Sequence, residues 1–288
     1  MSPLLAPARR EAPADRITDR EYDAIRALVY ERFGIALGDH KKSLVVGRLQ
    51  KVLMQHGFRT FQEYYDWLLG DASGAALEEL ANRITTNHTF FNREPAHFEF
   101  FSGTFLPQLV ATRRAANHRE IRIWCAGCSS GEEPYTLMML MREFLGAEAP
   151  SWKTILLATD ISATALRRAI DGVYDHERVS QLPVNLQRRW FVRQSDGHVR
   201  VNDEIRKAVV FRRHNLMSPS FPFRHQFDAV FCRNVMIYFD QQTRRDLVAK
   251  FHHHTVPGGY LFIGHSETLG REETAYEYVM PALYRKRT

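Results

Sequence analysis

The chain has 288 residues, 44% of them hydrophobic, and a formal net charge of +6. This length and composition allow two globular domains, and they exclude a transmembrane helix because no apolar run reaches about 18 residues. The apolar stretch at the start is too short for a signal peptide, so we expect a cytoplasmic protein without membrane insertion. The positive charge favours an acidic partner without identifying it.

The first part of the chain predicts a leader followed by helices. Residues 1–16 are rich in Pro, Ala and Arg, which is typical of disorder, and residues 17–86 predict a small all-helical domain. Its first helix has Thr18 or Asp19 as N-cap and Gly34 as stop signal. The second, within "DHKKSLVVGRLQKVLMQHG", has apolar residues at helical spacing and a basic polar side. That basic side comprises Lys41, Lys42, Arg48 and Lys51.

Residues 118–288 predict an α/β domain with a doubly wound, mostly parallel sheet, because short apolar runs alternate with helical segments. The predicted strands are 121–127, 154–160, 208–215, 227–234 and 258–267. Residues 87–117 are predicted to be a linker and a helix. Residues 172–207 interrupt the alternation and predict an inserted β subdomain, with a hairpin turning at Ser195, Asp196 and Gly197.

Ligands of such sheets bind at the carboxyl ends of the strands, so the residues at these ends are the candidates for a site. The first strand is followed by "AGCSSGEEPYT", in which Gly127 and Gly131 permit a tight turn before a helix. The acidic pair Glu132 and Glu133 would repel a pyrophosphate. Asp160 ends the second strand, where a carboxylate accepts hydrogen bonds from ribose hydroxyls. Asn215 with Leu216 follows the third strand, and Arg233 with Asn234 follows the fourth.

S-adenosylmethionine fits these residues, because it carries an adenosine, no phosphate, and cationic groups that carboxylates attract. We therefore expect a transferase that uses this cofactor. The spacing alone leaves two other interpretations open, an NAD-type enzyme and a fold that binds no ligand.

The cysteines give no sign of a metal site or of disulfides. Cys125 and Cys128 form a CxxC, but no second cysteine pair or fitting histidine completes a zinc site, so we expect no metal. With Cys232 they number three, all in apolar contexts that suit a reducing compartment.

Four stretches carry a resemblance to a known family: "TTNHTFFNREPAHF", "SSGEEPYT", "ATDIS" and "FCRNVMIYFD", with "GHSE" at 264–267. From about residue 18 to 286 the chain resembles the CheR family, the chemoreceptor glutamate methyltransferases. The resemblance implies an N-terminal all-helical CheR domain and a class I methyltransferase domain with a small inserted β subdomain.

The resemblance also implies the site residues. The cofactor contacts that match the family's motifs are Asn87, Thr89, Arg93, Glu133, Asp160, Asn215, Leu216, Arg233 and Asn234. Arg93 and Tyr238 are implied as the catalytic residues that orient the reacting groups.

The implied reaction transfers a methyl group to glutamate carboxylates of chemoreceptor helices and leaves S-adenosylhomocysteine. The basic helix would dock such an acidic helix. Relatives that tether to a receptor's C-terminal peptide have a longer, glycine-richer hairpin turn than the one here, so we expect recognition independent of that tail.

Two alternatives remain: a methyltransferase for another acceptor, or a non-catalytic receptor-binding adaptor. A nucleic-acid acceptor is not expected, because "CRNVMIYF" lacks the proline pair of NPPY-like motifs.

Overall fold

The computed structural model describes residues 17–85, 87–270 and 274–288. Within them the chain separates into two compact units after Thr85. The predicted leader, residues 1–16, lies outside the described residues. None of the described helices is long and apolar enough to cross a lipid bilayer.

The first unit is helical throughout its described part. Its helices are α1 (Asp19–Phe33), α2 (Lys42–His56), α3 (Phe61–Gly70) and α4 (Ala75–Ile84), with a 3-10 turn at Asp39–Lys41.

The ends of α1 follow from local chemistry. Thr18 Oγ1 accepts a hydrogen bond from the Glu21 N–H at 3.2 Å, and Glu21 Oε2 accepts one from the Thr18 N–H at 2.8 Å. This reciprocal pair is a capping box, which confirms Thr18 as the N-cap. Gly34 ends the helix with a φ of 70°, a left-handed conformation that glycine adopts without steric cost.

The second unit contains two sheets. The strands are β1 (Glu120–Ala126), β2 (Lys153–Asp160), β3 (Val173–Asp175), β4 (Phe191–Arg193), β5 (His198–Val201), β6 (Val209–Arg213), β7 (Phe227–Cys232), β8 (Thr255–Ile263), β9 (Tyr276–Met280) and β10 (Leu283–Lys286). The helices are α5 (Pro95–Phe100), α6 (Leu106–Ala115), α7 (Glu132–Leu145), α8 (Ala163–Asp171), α9 (His176–Val179), α10 (Val184–Trp190), α11 (Asp203–Ala208) and α12 (Gln241–His254), and a π-helical turn at Phe101–Phe105 joins α5 to α6.

The large sheet has the strand order β6-β2-β1-β7-β8-β10-β9. The first five strands in this order pair in parallel, and β10 pairs antiparallel with both of its neighbours. Side chains of β1 alternate between two buried clusters, Ile123 and Cys125 on one face and Trp124 and Ala126 on the other. Both faces of the sheet are therefore covered, which confirms the predicted doubly wound α/β class.

The predicted strand 258–267 differs from the structure. β8 begins three residues earlier and ends at Ile263, because Glu267 folds back and accepts a hydrogen bond from the Gly264 N–H at 2.5 Å. The antiparallel strands β9 and β10 were not predicted. Three of the five residues of β9 are exposed, so it lacks the continuous apolar run of a central strand.

The insertion contains the predicted hairpin, formed by β4 and β5, and also a third strand, β3, that pairs with β5. At the turn the Asp196 carboxylate accepts a hydrogen bond from the His198 N–H at 3.0 Å. Trp190 is buried in this subdomain, whereas Val192 is exposed.

Candidate functional site

The strand order places a crevice at the carboxyl ends of β1 and β7. The chain leaves β1 toward β2 and β6 on one side and returns to β7 on the other, and such a switch point is where α/β sheets bind ligands. The segments that contact one another there are 127–131, 160–162 and 233–238, together with 87–94 of the same unit.

The loop after β1 requires both of its glycines. Gly127 and Gly131 have φ values of 82° and 96°. A Cβ on Gly127 would lie 2.4 Å from Val235 Cγ2, and one on Gly131 would lie 2.9 Å from the Ala169 Cβ. The loop therefore runs directly against the chain after β7, as the sequence predicted for a close backbone turn.

Asp160 joins this loop to the start of α8. Its Oδ2 accepts a hydrogen bond from the Ser129 N–H and its Oδ1 one from the Ser162 N–H, both at 2.8 Å. Burial raises the pKa of Asp160 above its ordinary value, while the backbone donors act in the opposite direction. Asp160, which was predicted to bind a ribose, therefore also connects two loops. Each of its carboxylate oxygens keeps a second lone pair for a ligand.

Arg233 lies at the centre of the crevice, with its side chain only 2% exposed. Its Nη1 donates to Glu133 Oε2 at 2.6 Å, and its Nη2 donates to Glu94 Oε2 at 3.1 Å and to the Arg93 carbonyl. The guanidinium stands over the Phe98 ring, 5.2 Å from its centroid. One buried cation therefore holds two carboxylates and the segment that carries Arg93.

Glu133 is held on both of its oxygens. While Oε2 accepts from Arg233, Oε1 accepts a hydrogen bond from the Cys125 thiol at 2.9 Å. Cys125 is buried and unpaired by any disulfide, as are Cys128 and Cys232. Burial raises the pKa of Cys125 well above its ordinary value, so the thiol acts as a hydrogen-bond donor here.

Glu94 belongs to the site although it was not predicted. It adopts a φ of 57°, and besides Arg233 its carboxylate accepts hydrogen bonds from Asn234 Nδ2 and from the His265 N–H, each at 3.3 Å. Burial acts to raise the pKa of Glu94, but the charge and hydrogen bond of Arg233, together with the hydrogen bonds from His265 and Asn234, hold this pKa below its ordinary value. The only sequence signal was its place after Arg93 in a motif.

Glu267 is the second functional residue that the sequence did not identify. Its carboxylate is 4% exposed and accepts hydrogen bonds from the N–H groups of Asn234 and Ile237 at 3.0 and 3.1 Å. Asn234 has a φ of 59°, an unusual conformation that these bonds fix. Because Gly264 also donates to Glu267, the motif "GHSE" shapes the turn after β7.

Asn87 and Thr89 contact the glycine loop and the subdomain through their backbone. The Asn87 carbonyl accepts a hydrogen bond from Ser129 Oγ at 3.4 Å, and the Thr89 carbonyl accepts one from Arg178 Nη2 at 3.0 Å. Arg178 also pairs with the buried carboxylate of Glu132 at 3.2 Å. The segment is therefore fixed to the same crevice.

Asn215 and Leu216 lie beyond the end of β6. Asn215 Oδ1 accepts a hydrogen bond from the Met217 N–H at 3.0 Å, and the Leu216 carbonyl accepts one from Lys250 Nζ at 2.8 Å. The Leu216 side chain is buried in the core cluster around Trp124.

The predicted catalytic residues are both partly exposed. Arg93 Nη1 donates to the His88 carbonyl at 2.9 Å, and the guanidinium lies 5.8 Å from the Phe90 ring centroid. Tyr238 ends a 3-10 turn after β7 that the Ile237 N–H anchors to Glu267. Neither side chain is locked in the core, so both can meet a substrate.

Contacts within the first unit engage part of its predicted basic face. Lys42 Nζ lies 2.6 Å from Asp19 Oδ1, Arg48 Nη1 donates to the Ile84 carbonyl, and Lys41 lies in the 3-10 turn before α2. The exposed residues of α2 at helical spacing are Leu44, Gly47, Lys51 and Met54. The face that α2 presents is therefore mixed apolar and basic.

The crevice fits S-adenosylmethionine better than a nucleotide with phosphates. Its glycine loop leads into α7, whose first turn carries Glu132 and Glu133, and a phosphate there would meet negative charge. Carboxylates beyond the ends of β1 and β2 suit an ammonium group and ribose hydroxyls. The Nη atoms of Arg233 are already engaged, and its buried Nε–H, which has no partner among the described residues, can donate to a carboxylate.

The chain matches two family models, "CheR methyltransferase, SAM binding domain" over residues 87–284 and "CheR methyltransferase, all-alpha domain" over residues 20–85. A chemotaxis protein methyltransferase of Borreliella burgdorferi is 43% identical over 270 residues, which is 94% of this chain and 95% of that protein. The Escherichia coli chemotaxis protein methyltransferase is 35% identical over 263 residues, 90% of this chain and 88% of that protein. Chemotaxis protein methyltransferase 2 of Pseudomonas aeruginosa is 37% identical over 253 residues, 87% of each chain.

Proposed function

The chain belongs to the CheR methyltransferase family, and on that premise we propose that it methylates glutamate side chains of chemoreceptors and leaves glutamyl methyl esters. The observation that carries this proposal is the similarity, along nearly the whole chain, to proteins named for chemotaxis methylation. Both units are included in that similarity.

S-adenosylmethionine is the cofactor of this family's larger domain, and it supplies a methyl group on a positively charged sulfur. We assign its ribose to Asp160 and its charged amino-acid end to Glu133 and Arg233. The remaining assigned contacts are Asn87, Thr89, Arg93, Asn215, Leu216 and Asn234. Support comes from the contacts that join residues 87–94, 127–133, Asp160 and Arg233 at the switch point of the sheet.

The acceptor needs no general base. A glutamate carboxyl has a reference pKa of about 4.3, so at neutral pH it is already an anion. A lone pair of its oxygen forms the bond to the methyl carbon, and the electron pair of the broken carbon–sulfur bond stays on sulfur. Both charges are lost, so groups that stabilise the carboxylate too strongly would slow the reaction.

The task left to the protein is alignment, which can contribute roughly 7 to 11 kcal/mol in well-oriented reactions. We assign this to Arg93 and Tyr238. Arg93 is held by the His88 carbonyl and by the segment that Arg233 fixes, and its Nε lies 4.0 Å from Glu94 Oε1. This contact with Glu94 is long, so the guanidinium can still donate to the acceptor carboxylate. Tyr238 would present its hydroxyl from the turn that Glu267 anchors.

The docking surface is the exposed face of α2. Leu44 and Met54 are about half exposed, and Lys51 lies between them. An amphipathic acidic helix offers apolar contacts to the first two and charge complementarity to the third. The proposed partners are therefore the cytoplasmic helices of chemoreceptors, which places the reaction in the cytoplasm.

Recognition of a receptor's C-terminal tail is not part of the proposal. Only residues 194–197 join β4 to β5, and the Gln194 N–H closes the turn on the His198 carbonyl at 2.8 Å. So short a turn offers little backbone for an added peptide strand.

The test uses methyl-labelled S-adenosylmethionine, membranes with candidate chemoreceptors, and the same receptors lacking their C-terminal tails. We expect label on both receptor forms, and its release as methanol by alkali, because an ester is hydrolysed there and an N-methyl group is not. Alkali-stable label would refute the ester, and label confined to receptors with tails would refute tail independence.

A further inference from the structure

Three side chains outside the assigned cofactor contacts converge beside Arg233. Glu94 Oε2 lies 3.6 Å from His97 Nδ1 and 3.9 Å from His265 Nε2. One potential ligand atom from each residue lies within 4.8 Å of the others. The two imidazole rings meet edge to face with centroids 4.9 Å apart. Residues from the start of α5 and from the loop after β8 thus form one cluster.

His97 gives independent evidence that a ligand belongs there. Its side chain is fully buried, and among the described residues neither ring nitrogen makes a hydrogen bond of regular geometry, although the Pro281 carbonyl interacts with the ring as an acceptor. A buried polar group without a partner costs about 1–3 kcal/mol, so such groups are rare without a function. Nδ1 lies 3.6 Å from Glu94 Oε2, which is too long for a hydrogen bond and close to the separation of two ligands of one ion.

We propose that Glu94, His97 and His265 bind a divalent transition-metal ion of the zinc type. Two imidazoles and one carboxylate are a known zinc ligand set, and ligand atoms about 2.0–2.1 Å from a tetrahedral ion lie about 3.3 Å apart. The distances of 3.6 and 3.9 Å from Glu94 would have to shorten by about 0.3 and about 0.6 Å to reach that separation. Mg²⁺ and Ca²⁺ prefer oxygen ligands and would not select this cluster.

His265, the exposed residue of the cluster, can move so that the distances between the ligand atoms shorten. His265 is 46% exposed and lies on a loop, so its ring can move toward the ion, whereas His97 is fixed in the core. The exposed side also leaves the fourth position to water.

The consequence is competition within the site. Glu94 Oε2 accepts hydrogen bonds from Arg233 and from the His265 N–H, and an ion bound to that oxygen would displace the guanidinium. We infer that zinc weakens cofactor binding, and by thermodynamic reciprocity the cofactor weakens zinc binding by the same factor. This consequence rests on the cofactor role proposed for Arg233, whereas the metal site itself does not.

The experiment is calorimetric titration of Zn²⁺ into the untagged, chelator-treated full chain. We expect one ion bound, no binding of Mg²⁺, and an affinity about 10- to 100-fold lower in His265→Ala, since even outer-shell changes at zinc sites cost that much. His253→Ala is the matched control, because His253 is an exposed histidine of a three-histidine run on α12. Unchanged affinity in His265→Ala, or a loss in His253→Ala instead, would overturn the site.

A second readout identifies the ligands without any methyl transfer. The absorption spectrum of the Co²⁺-loaded chain should show the intense bands of a four-coordinate nitrogen and oxygen site, and His265→Ala should lose them. Zinc binding that leaves the affinity for S-adenosylmethionine unchanged would refute the competition through Arg233. Because these titrations need no receptor, an incorrect acceptor assignment would not affect their outcome.

Discussion

Arg233 and Glu133, 100 residues apart in the chain, form a hydrogen-bonded ion pair with 2.6 Å between Nη1 and Oε2, and both side chains are largely buried. The pair ties the end of β7 to the start of α7 across the switch point of the sheet. Arg233 also holds Glu94, so the crevice depends on one cation between two carboxylates.

Removing that cation should destabilise the second unit. Arg233→Met leaves two buried carboxylates without their partner, and breaking a buried pair in this way costs about 3–5 kcal/mol. Urea denaturation followed by tryptophan fluorescence measures the change. Arg188→Met is the control, because Arg188 is exposed and should change stability little. Equal midpoints for the two variants would contradict the central role of Arg233.

Asp160→Asn should weaken cofactor binding. An asparagine side chain has one acceptor oxygen, so it cannot receive hydrogen bonds from both the Ser129 and the Ser162 N–H and still serve a ribose. We expect the affinity for S-adenosylmethionine to fall about 10- to 100-fold, in line with the loss of a charged hydrogen bond. Calorimetry with purified variants measures this, and wild-type affinity would refute the assignment of Asp160.

Arg93→Ala should separate binding from turnover. The Arg93 side chain is partly exposed and its hydrogen bond goes to the nearby His88 carbonyl, so removal should leave stability near wild type. Because Arg93 is one of several assigned cofactor contacts, cofactor affinity should fall much less than turnover. Because misplacing a reacting group can cost about 100-fold in rate, kcat should fall by that order. Arg93→Lys keeps the positive charge but loses the planar guanidinium group, so it should recover part of the lost kcat. A fully active Arg93→Ala would remove the orienting role.

Gly127→Ala should perturb the crevice in a way that a second substitution relieves. The new Cβ would lie 2.4 Å from Val235 Cγ2, and the φ of 82° adds strain of about 1–2 kcal/mol. Val235→Ala removes that methyl group, so the double variant should be more stable and bind the cofactor better than Gly127→Ala alone. Strictly additive losses would show that the close approach is not the cause.

Lys51→Glu should impair receptor methylation without affecting the cofactor site. Lys51 is exposed on α2, and reversing its charge should slow association with an acidic helix by about tenfold at low ionic strength. The effect should shrink with added salt. Arg59→Glu, at another exposed position of the first unit, is the matched control. Equal losses in both variants would indicate a general charge effect and not docking on α2.

Much of the fold could be predicted because local signals agreed with the tertiary structure. The central strands are continuous apolar runs, and the ends of α1 carry a capping box and a glycine stop. The family predicted from the motifs was confirmed by both family models. β9 and β10 were not predicted because they are short and partly exposed. Their stability comes from pairing, β10 with β8 and β9 with β10, and no local sequence pattern indicates such pairing.

The position of the site could be predicted from the sequence, but its hydrogen-bond network could not. The carboxyl ends of the strands indicated Asp160 and Arg233, whereas the roles of Glu94 and Glu267 depend on hydrogen bonds to residues 140 and 33 positions away. The basic face of α2 was overestimated, because Lys42 and Arg48 are engaged by Asp19 and the Ile84 carbonyl. The sequence shows which residues are charged, but only the tertiary structure shows which partner each of them has.

Methylation of receptor glutamates can be measured by peptide mass spectrometry of a chemoreceptor incubated with the protein and a deuterated-methyl S-adenosylmethionine. We expect the deuterated methyl group on glutamate side chains of the receptor's cytoplasmic helices, and we expect Arg93→Ala to lose this signal. Label on lysine, arginine or nucleic acid, or unlabelled receptors with a protein that binds the cofactor, would contradict this expectation.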